Sequence, residues 1–238
     1  MRLCTLIAAM VFAGPALAAP PDISQVNGTI SVDASQQAGD VSTTNGSIHI
    51  GARASVADVH SVNGGITVED GASATSVETV NGGIHLQRDV RINGAVSTVN
   101  GAVQLNAARA ASVTTVNGSV TLDPSADVSG RVTTVNGAVH VNASHVGGGI
   151  ETVAHDIDIG ADSRVEGGIL VRKREESWIR QWFPEHNLPP RIVIGPGAVV
   201  TGTLRFQCPV KLYVSDHARI GAVEGATAIA FSGEQPPA

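Results

Sequence analysis

The dipeptide Asn-Gly recurs at Asn27, Asn45, Asn63, Asn81, Asn100, Asn117 and Asn136, at intervals of 18, 18, 18, 19, 17 and 19 residues. A period of that size marks a chain built by stacking one small unit on the next. The next position in phase carries Ala154-His155, and one further Asn-Gly, at Asn93, falls out of phase. The flanking positions keep their character. Three residues after each Asn stand Ile30, Ile48, Ile66, Ile84, Val103, Val120 and Val139, continued by Ile157. Five residues after stand Val32, Ile50, Val68, Leu86, Leu105, Leu122 and Val141, continued by Ile159. Four residues before stand Ile23, Val41, Val59, Val77, Val96, Val113 and Val132, continued by Ile150, all β-branched and suited to strands.

Alternation sends the third and fifth residues after Asn to one side of a strand and the fourth to the other. That fourth column reads Ser31, His49, Thr67, His85, Gln104, Thr121, His140, Asp158, so the aliphatic side faces inward and the polar side outward. A strand of this kind buries half a surface only when neighbours stack on it. The expected fold is therefore all-β: a parallel β-solenoid of about 18 residues and roughly 4.8 Å rise per coil, with right-handed winding favoured. Asn-Gly supplies a corner, read here as a place of positive φ. If the Asn side chains point inward, they form a hydrogen-bonded ladder. From Thr43 onward, Thr or Ser recurs two residues before each Asn, and mostly Val one before. Both cannot be buried on one alternating strand, so a bend is expected there. The length changes between coils fall on the less regular third side.

Beyond residue 160 the repeat changes its vocabulary. Residues 159–165, IGADSRV, are echoed by 194–200, IGPGAVV, and more loosely by 214–220, VSDHARI. The offsets, 35 and 20, leave room for an insertion of about 17 residues within 172–191. That segment, RKREESWIRQWFPEHNLPPR, holds both Trp residues and five basic residues against three acidic ones. Trp178, Ile179, Trp182 and Phe183 form one stripe of a short helix that Pro184 ends, with Arg180 beside it. The stripe either covers the solenoid flank or docks on a partner.

The Asn-Gly coils resemble the exported β-helical repeats of adhesin-like domains. The coils after Ile192, with IGPGAVVTGTLRF and ARIGAVEGA, resemble bactofilins, the polymer-forming bacterial scaffolds. These resemblances imply a non-enzymatic scaffold or surface module and bring no catalytic residues. The organisation expected is a signal peptide at 1–18, the Asn-Gly solenoid at 19–171, the Trp-rich insertion at 172–191, bactofilin-like coils at 192–231 and a polar tail at 232–238.

Residues 1–18 read as an export signal: Arg2, an apolar run over 6–13, Gly14-Pro15, then Ala16-Leu17-Ala18, with cleavage expected after Ala18. Nothing later is long and apolar enough to span a bilayer, so a periplasmic or secreted protein is expected. Cys4 leaves with the signal and Cys208 remains alone, without an intrachain disulfide partner. It reads as a small buried hydrophobe or as a site of intermolecular pairing. With 15 Lys and Arg against 21 Asp and Glu, the chain offers no general basic surface for nucleic acid.

Two enzyme classes share features with parts of the chain. IGADSR and IGPGAV fit a hexapeptide acyltransferase pattern, but acyl-CoA is not expected outside the cytoplasm. A β-helical polysaccharide lyase or hydrolase needs clustered outward carboxylates. Asp156 and Asp158, with His155 and His140, are the candidates, and they fall where Asn-Gly is lost. Against this, no Trp, Tyr or Phe occurs between Val26 and Val171 to stack on a sugar. His49, His85 and His140 share a column but stand two and three coils apart, roughly 10 to 15 Å, too far to share an ion, so no metal or other cofactor is expected. The expected function is a structural or adhesion-type module of the bacterial envelope, with self-association through the C-terminal coils and an envelope partner or surface polysaccharide.

Overall fold

The computed structural model describes residues 19–153, 155–173 and 189–236. Residues 1–18, residue 154, most of the Trp-rich insertion and the last two residues lie outside them. Strands make parallel ladders that close into a three-sided solenoid. The leading face begins at Ile23–Asn27 and Val41–Asn45 and ends at Val223–Glu224. The following face is an 11-stranded sheet from Ile30–Val32 to Ala228–Phe231. A short face carries pairs such as Asp127–Val128, His145–Val146 and Arg164–Val165.

Register follows the periodicity. Ile66 pairs with Ile48 and Ile84, and Val113 with Val96 and Val132, so like side chains stack in columns through the interior. These columns are buried almost completely, Ile84 and Val113 at 0% exposure. The sparser repeat holds too: Ile159 pairs with Ile194, and Ile194 with Val214. The short face closes the core with smaller side chains, among them Ala72, Ala108 and Ala126, beside Val128, Val146 and Val165. Length changes fall on this side, as expected. The out-of-phase Asn93-Gly94 lies in a bulge between Ile92 and Ala95, where the chain carries one residue more than the coil above.

Two expectations about the first corner are corrected. Of the glycines in the repeated dipeptide, only Gly28 has positive φ. Gly46, Gly64, Gly82, Gly101, Gly118 and Gly137 are instead required by stacking. A Cβ on any of them would stand 1.9–2.3 Å from the carbonyl oxygen of the glycine one coil below. The left-handed residues sit at the second corner, as Ser35, Arg53, Gly71, Asp89, Ala107, Ser125, Ala143 and Asp162. No bend separates the Thr and Val positions either. Alternation continues, burying Thr79, Thr98 and Thr115 and leaving Val26 and Val99 at 66% and 40% exposure. Threonine wins the interior place because its hydroxyl has an acceptor there. Thr79, Thr98, Thr115 and Thr134 each donate to the carbonyl of the corner glycine one coil below, at 2.9–3.1 Å.

Candidate functional site

The Asn column forms its ladder on the outside. Asn45 Nδ2 donates to Asn27 Oδ1 at 3.0 Å, and the same bond repeats through Asn63, Asn81, Asn100, Asn117 and Asn136 at 2.8–2.9 Å. The side chains are exposed rather than inward, because the stacked glycines that follow them fill the inside of the corner. Each interior Asn of the column spends one amide N–H and one lone pair on its neighbours, which fixes its rotamer. The ladder stops at Asn136, where residue 154 no longer supplies an amide.

His140 and Asp158 are cross-strand neighbours on the outer surface of the following face. Asp156 has other employment. Its Oδ1 accepts the N–H of Arg191 at 2.8 Å and its carbonyl accepts the N–H of Val139. It thereby ties the coil before the insertion to the strand after it. His155 lies half-buried at the same corner. Trp178, Ile179, Arg180, Trp182 and Phe183 lie outside the described residues. The ends of the insertion are placed: Arg172 pairs beside Val153 and Arg191 opens the strand Arg191–Ile194, so the added segment replaces one Asn-Gly corner. The guanidinium of Arg191 lies over the Tyr213 ring at 5.4 Å.

A further cluster stands on the leading face. Glu151 occupies an outward position yet its side chain is only 11% exposed, because Arg131 Nη1 reaches one of its oxygens at 2.8 Å and Arg172 Nη2 the other at 2.6 Å. The arginines come from the coils on either side. Next to this bridge the surface is notched. The residue preceding the buried leading-face aliphatic is Asp58, Ser76, Ala95, Ser112 and Arg131 in successive coils, then Gly149 and Gly168, then Thr203. Both glycines have positive φ, +86 and +82, and a Cβ on Gly168 would stand 2.3 Å from Thr203 O. Two coils therefore lack an outward side chain at this corner, leaving a cavity of about 300 Å3 between Arg131 and Arg205. No family model, curated protein or solved structure matches the chain.

Arg205 Nε holds Glu224 at 2.7 Å, and the hydrogen bond and charge of Arg205 lower the Glu224 pKa below its usual value. On the short face His145 Nδ1 meets Asp127 at 2.7 Å and its Nε2 lies 3.6 Å from Glu166. Glu166 also takes a bond from Arg164 Nε at 2.8 Å, the main cause of its lowered pKa. Partial burial raises the thiol pKa of Cys208, whose Sγ lies 4.0 Å from the Arg172 carbonyl oxygen. Among the described residues no group of three His, Cys, Asp or Glu is placed to hold a metal ion.

The Glu151 bridge was not read from the sequence. A signal existed in the doubled glycines, Gly148-Gly149 and Gly167-Gly168, which stand one coil apart where other coils carry side chains. The partners Arg131 and Arg172 could be found only once the register was known.

Proposed function

We infer that this chain is a non-enzymatic structural or adhesion-type module of the bacterial envelope, exported by residues 1–18 and associating with further copies through its C-terminal coils. The observation that carries the reading is the state of the last coil. Ala228 and Ala230 continue the inward columns of Leu212 and Val214, yet both are exposed, and Ile229 beside them is 47% exposed. Val223 and Ala226 are only half-buried. The strand Ala228–Phe231 ends the 11-stranded sheet, with one edge free of a partner strand among the described residues. Such an edge recruits another strand unless charges or prolines block it. Asp156, bound to the backbone after the insertion, favours the scaffold over a carboxylate-based lyase.

Light scattering of residues 19–238 tests the association. Dimers or larger assemblies are expected at high micromolar concentration, with a shift to monomer on Ile229→Lys or truncation after Gly221. A monomer throughout overturns it. Release of products from bacterial or plant polysaccharides, abolished by Asp156→Ala, would overturn the non-enzymatic reading.

A further inference from the structure

We propose that the notch at Gly149 and Gly168 binds a carboxylate-bearing sugar, a hexuronate unit of an acidic polysaccharide. The first argument is charge. Arg131 and Arg205 stand at its two ends, both 59% exposed. The Arg131 guanidinium reaches Glu151 through Nη1, and that of Arg205 reaches Glu224 through Nε. A guanidinium has five N–H donors in a fixed fork, so each retains donors for a second carboxylate. Arg172 adds a third positive charge against the carboxylates of Glu151 and Glu224. The cluster therefore carries one uncompensated positive charge, which suits a monoanion. Glu151 in the wall disfavours a more highly charged ligand by like-charge repulsion.

The second argument is the floor. Gly148, Gly149, Gly167 and Gly168 line the cavity without a side chain, so a ligand meets backbone there. Among the described residues the N–H groups of Gly149 and Gly168 donate to no backbone carbonyl, although their own carbonyls accept from Val132 and Ile150. The backbone bonds that run up this corner, from Thr75 through Gly94 and from Gly130, reach Gly148. Two amide donors thus border a cavity that also meets the exposed Thr203 and the half-buried Leu170. Donors and a hydroxyl suit sugar hydroxyls, and Leu170 offers an apolar surface to a ring C–H face. A volume of about 300 Å3 accommodates one sugar ring and lies at the small end of ligand sites.

A single ring held without an aromatic platform binds weakly. A polymer presenting many such rings to associated copies binds more tightly through effective concentration. The site itself does not depend on that association: a short oligomer binds a monomer.

Isothermal titration of residues 19–238 with a trimer of galacturonic acid tests the proposal, alongside a neutral glucose trimer and inorganic phosphate. Saturable binding of the uronate alone is expected, weakening with added NaCl as screening requires. Arg205→Ala should weaken it at least about tenfold, the loss expected when a charge-assisted bond goes. Arg205→Lys should fall between, because an ammonium lacks the fork. Thr203→Phe fills the notch and should abolish binding, whereas Arg88→Ala, which removes a remote exposed pair with Asp70, should not change it. Unchanged melting curves establish that the variants fold, and the Arg205 variants decide the matter if Thr203→Phe does not. Absence of uronate binding, equal binding of the neutral trimer, binding of phosphate alone, or affinity indifferent to Arg205 would each overturn the assignment. None of these results bears on light scattering, so the site and the scaffold reading fail separately.

Discussion

Gly46 rests on Gly28 so closely that a Cβ added to Gly46 would stand 1.9 Å from the Gly28 carbonyl oxygen. The obstacle is backbone, which cannot rotate away as a side chain can. The same relation holds for Gly82 over Gly64, at 2.3 Å. Gly82→Ala should therefore force two coils apart and cost about 3 kcal/mol or more, as overpacking against fixed atoms does. Gly65, whose φ is not positive and where a Cβ would stand 3.2 Å from its nearest neighbour, Gly83 O, is the contrasting site. Gly65→Ala should cost no more than about 1 kcal/mol, since a shift of a few tenths of an ångström relieves the contact. Urea melts of the two variants measure the difference.

The threonine column offers a paired test of what a buried hydroxyl contributes. Thr115 is fully buried and donates to Gly101 O at 3.1 Å. Thr115→Val keeps the shape and loses the bond, and should cost about 1–2 kcal/mol. Thr152 occupies the same column two coils later, but its buried Oγ1 has no hydrogen-bond partner among the described residues. Thr152→Val should leave stability unchanged or raise it by up to about 1 kcal/mol, since an unsatisfied hydroxyl is removed. Equal losses at both positions would show that the bond is not what places threonine inside.

The register itself can be tested at two adjacent residues. Ile84 is completely buried, whereas His85 is exposed. Ile84→Asp places an unpaired carboxylate in the aliphatic column and should cost more than about 4 kcal/mol, melting several coils together. His85→Asp should stay within about 0.5 kcal/mol. Calorimetric scans showing similar losses for both would overturn the inward and outward assignment.

What the sequence revealed and what it hid divide along the same line. The columns of Ile48, Ile84 and Val113 were legible because a parallel solenoid repeats each environment once per coil, so period and burial coincide. The role of Gly82 was misread because Asn-Gly usually signals positive φ, and close stacking of one coil on another leaves no trace in local preference. Asp156 was noticed for its carboxylate, but its acceptor role depends on Arg191, 35 residues away across the insertion. The Glu151 bridge was hidden for the same reason. Its partners lie 20 and 21 residues off, and a Glu in an outward column that also holds His60 and Glu78 carries no mark of burial. The notch required the alignment of Gly149 with Gly168, which only coil register provides.

Acid should protonate the paired carboxylate of Glu224 only below the ordinary glutamate range. The Glu224 pKa is lowered by the hydrogen bond from Arg205 and then by its charge, so the folded chain holds this carboxylate ionised below the ordinary 4.5. A group whose folded pKa is depressed supports the fold above its unfolded value and loses that support as pH falls through the folded one. Carbon-detected NMR titration should place the Glu224 midpoint below 4.5, and Arg205→Ala should move it upward. A midpoint that Arg205→Ala leaves in place would mean that the pair is not formed in solution. Both groups are exposed, so the pair is read by its midpoint rather than by stability.

The second corner stores strain that substitution can release. Ala107 and Ala143 hold φ of +47° and +42°, where a Cβ crowds the backbone and costs roughly 1–2 kcal/mol. The same corner in other coils uses Gly71, Asp89 and Asp162, residue types that tolerate the left-handed region. Ala107→Asn should therefore stabilise the protein by about 0.5–1 kcal/mol, as side-chain hydrogen bonding offsets the crowding. Ala107→Gly should gain less, because the freedom it restores to the unfolded chain opposes the relief of strain. Ala108, the next residue, is fully buried in the core. Ala108→Asn should cost more than about 2 kcal/mol by burying an unpaired amide. Thermal melts that rank these as Ala107→Asn above parent above Ala108→Asn support the corner geometry, and a loss at both positions would show that Ala107 does not hold the left-handed conformation in solution.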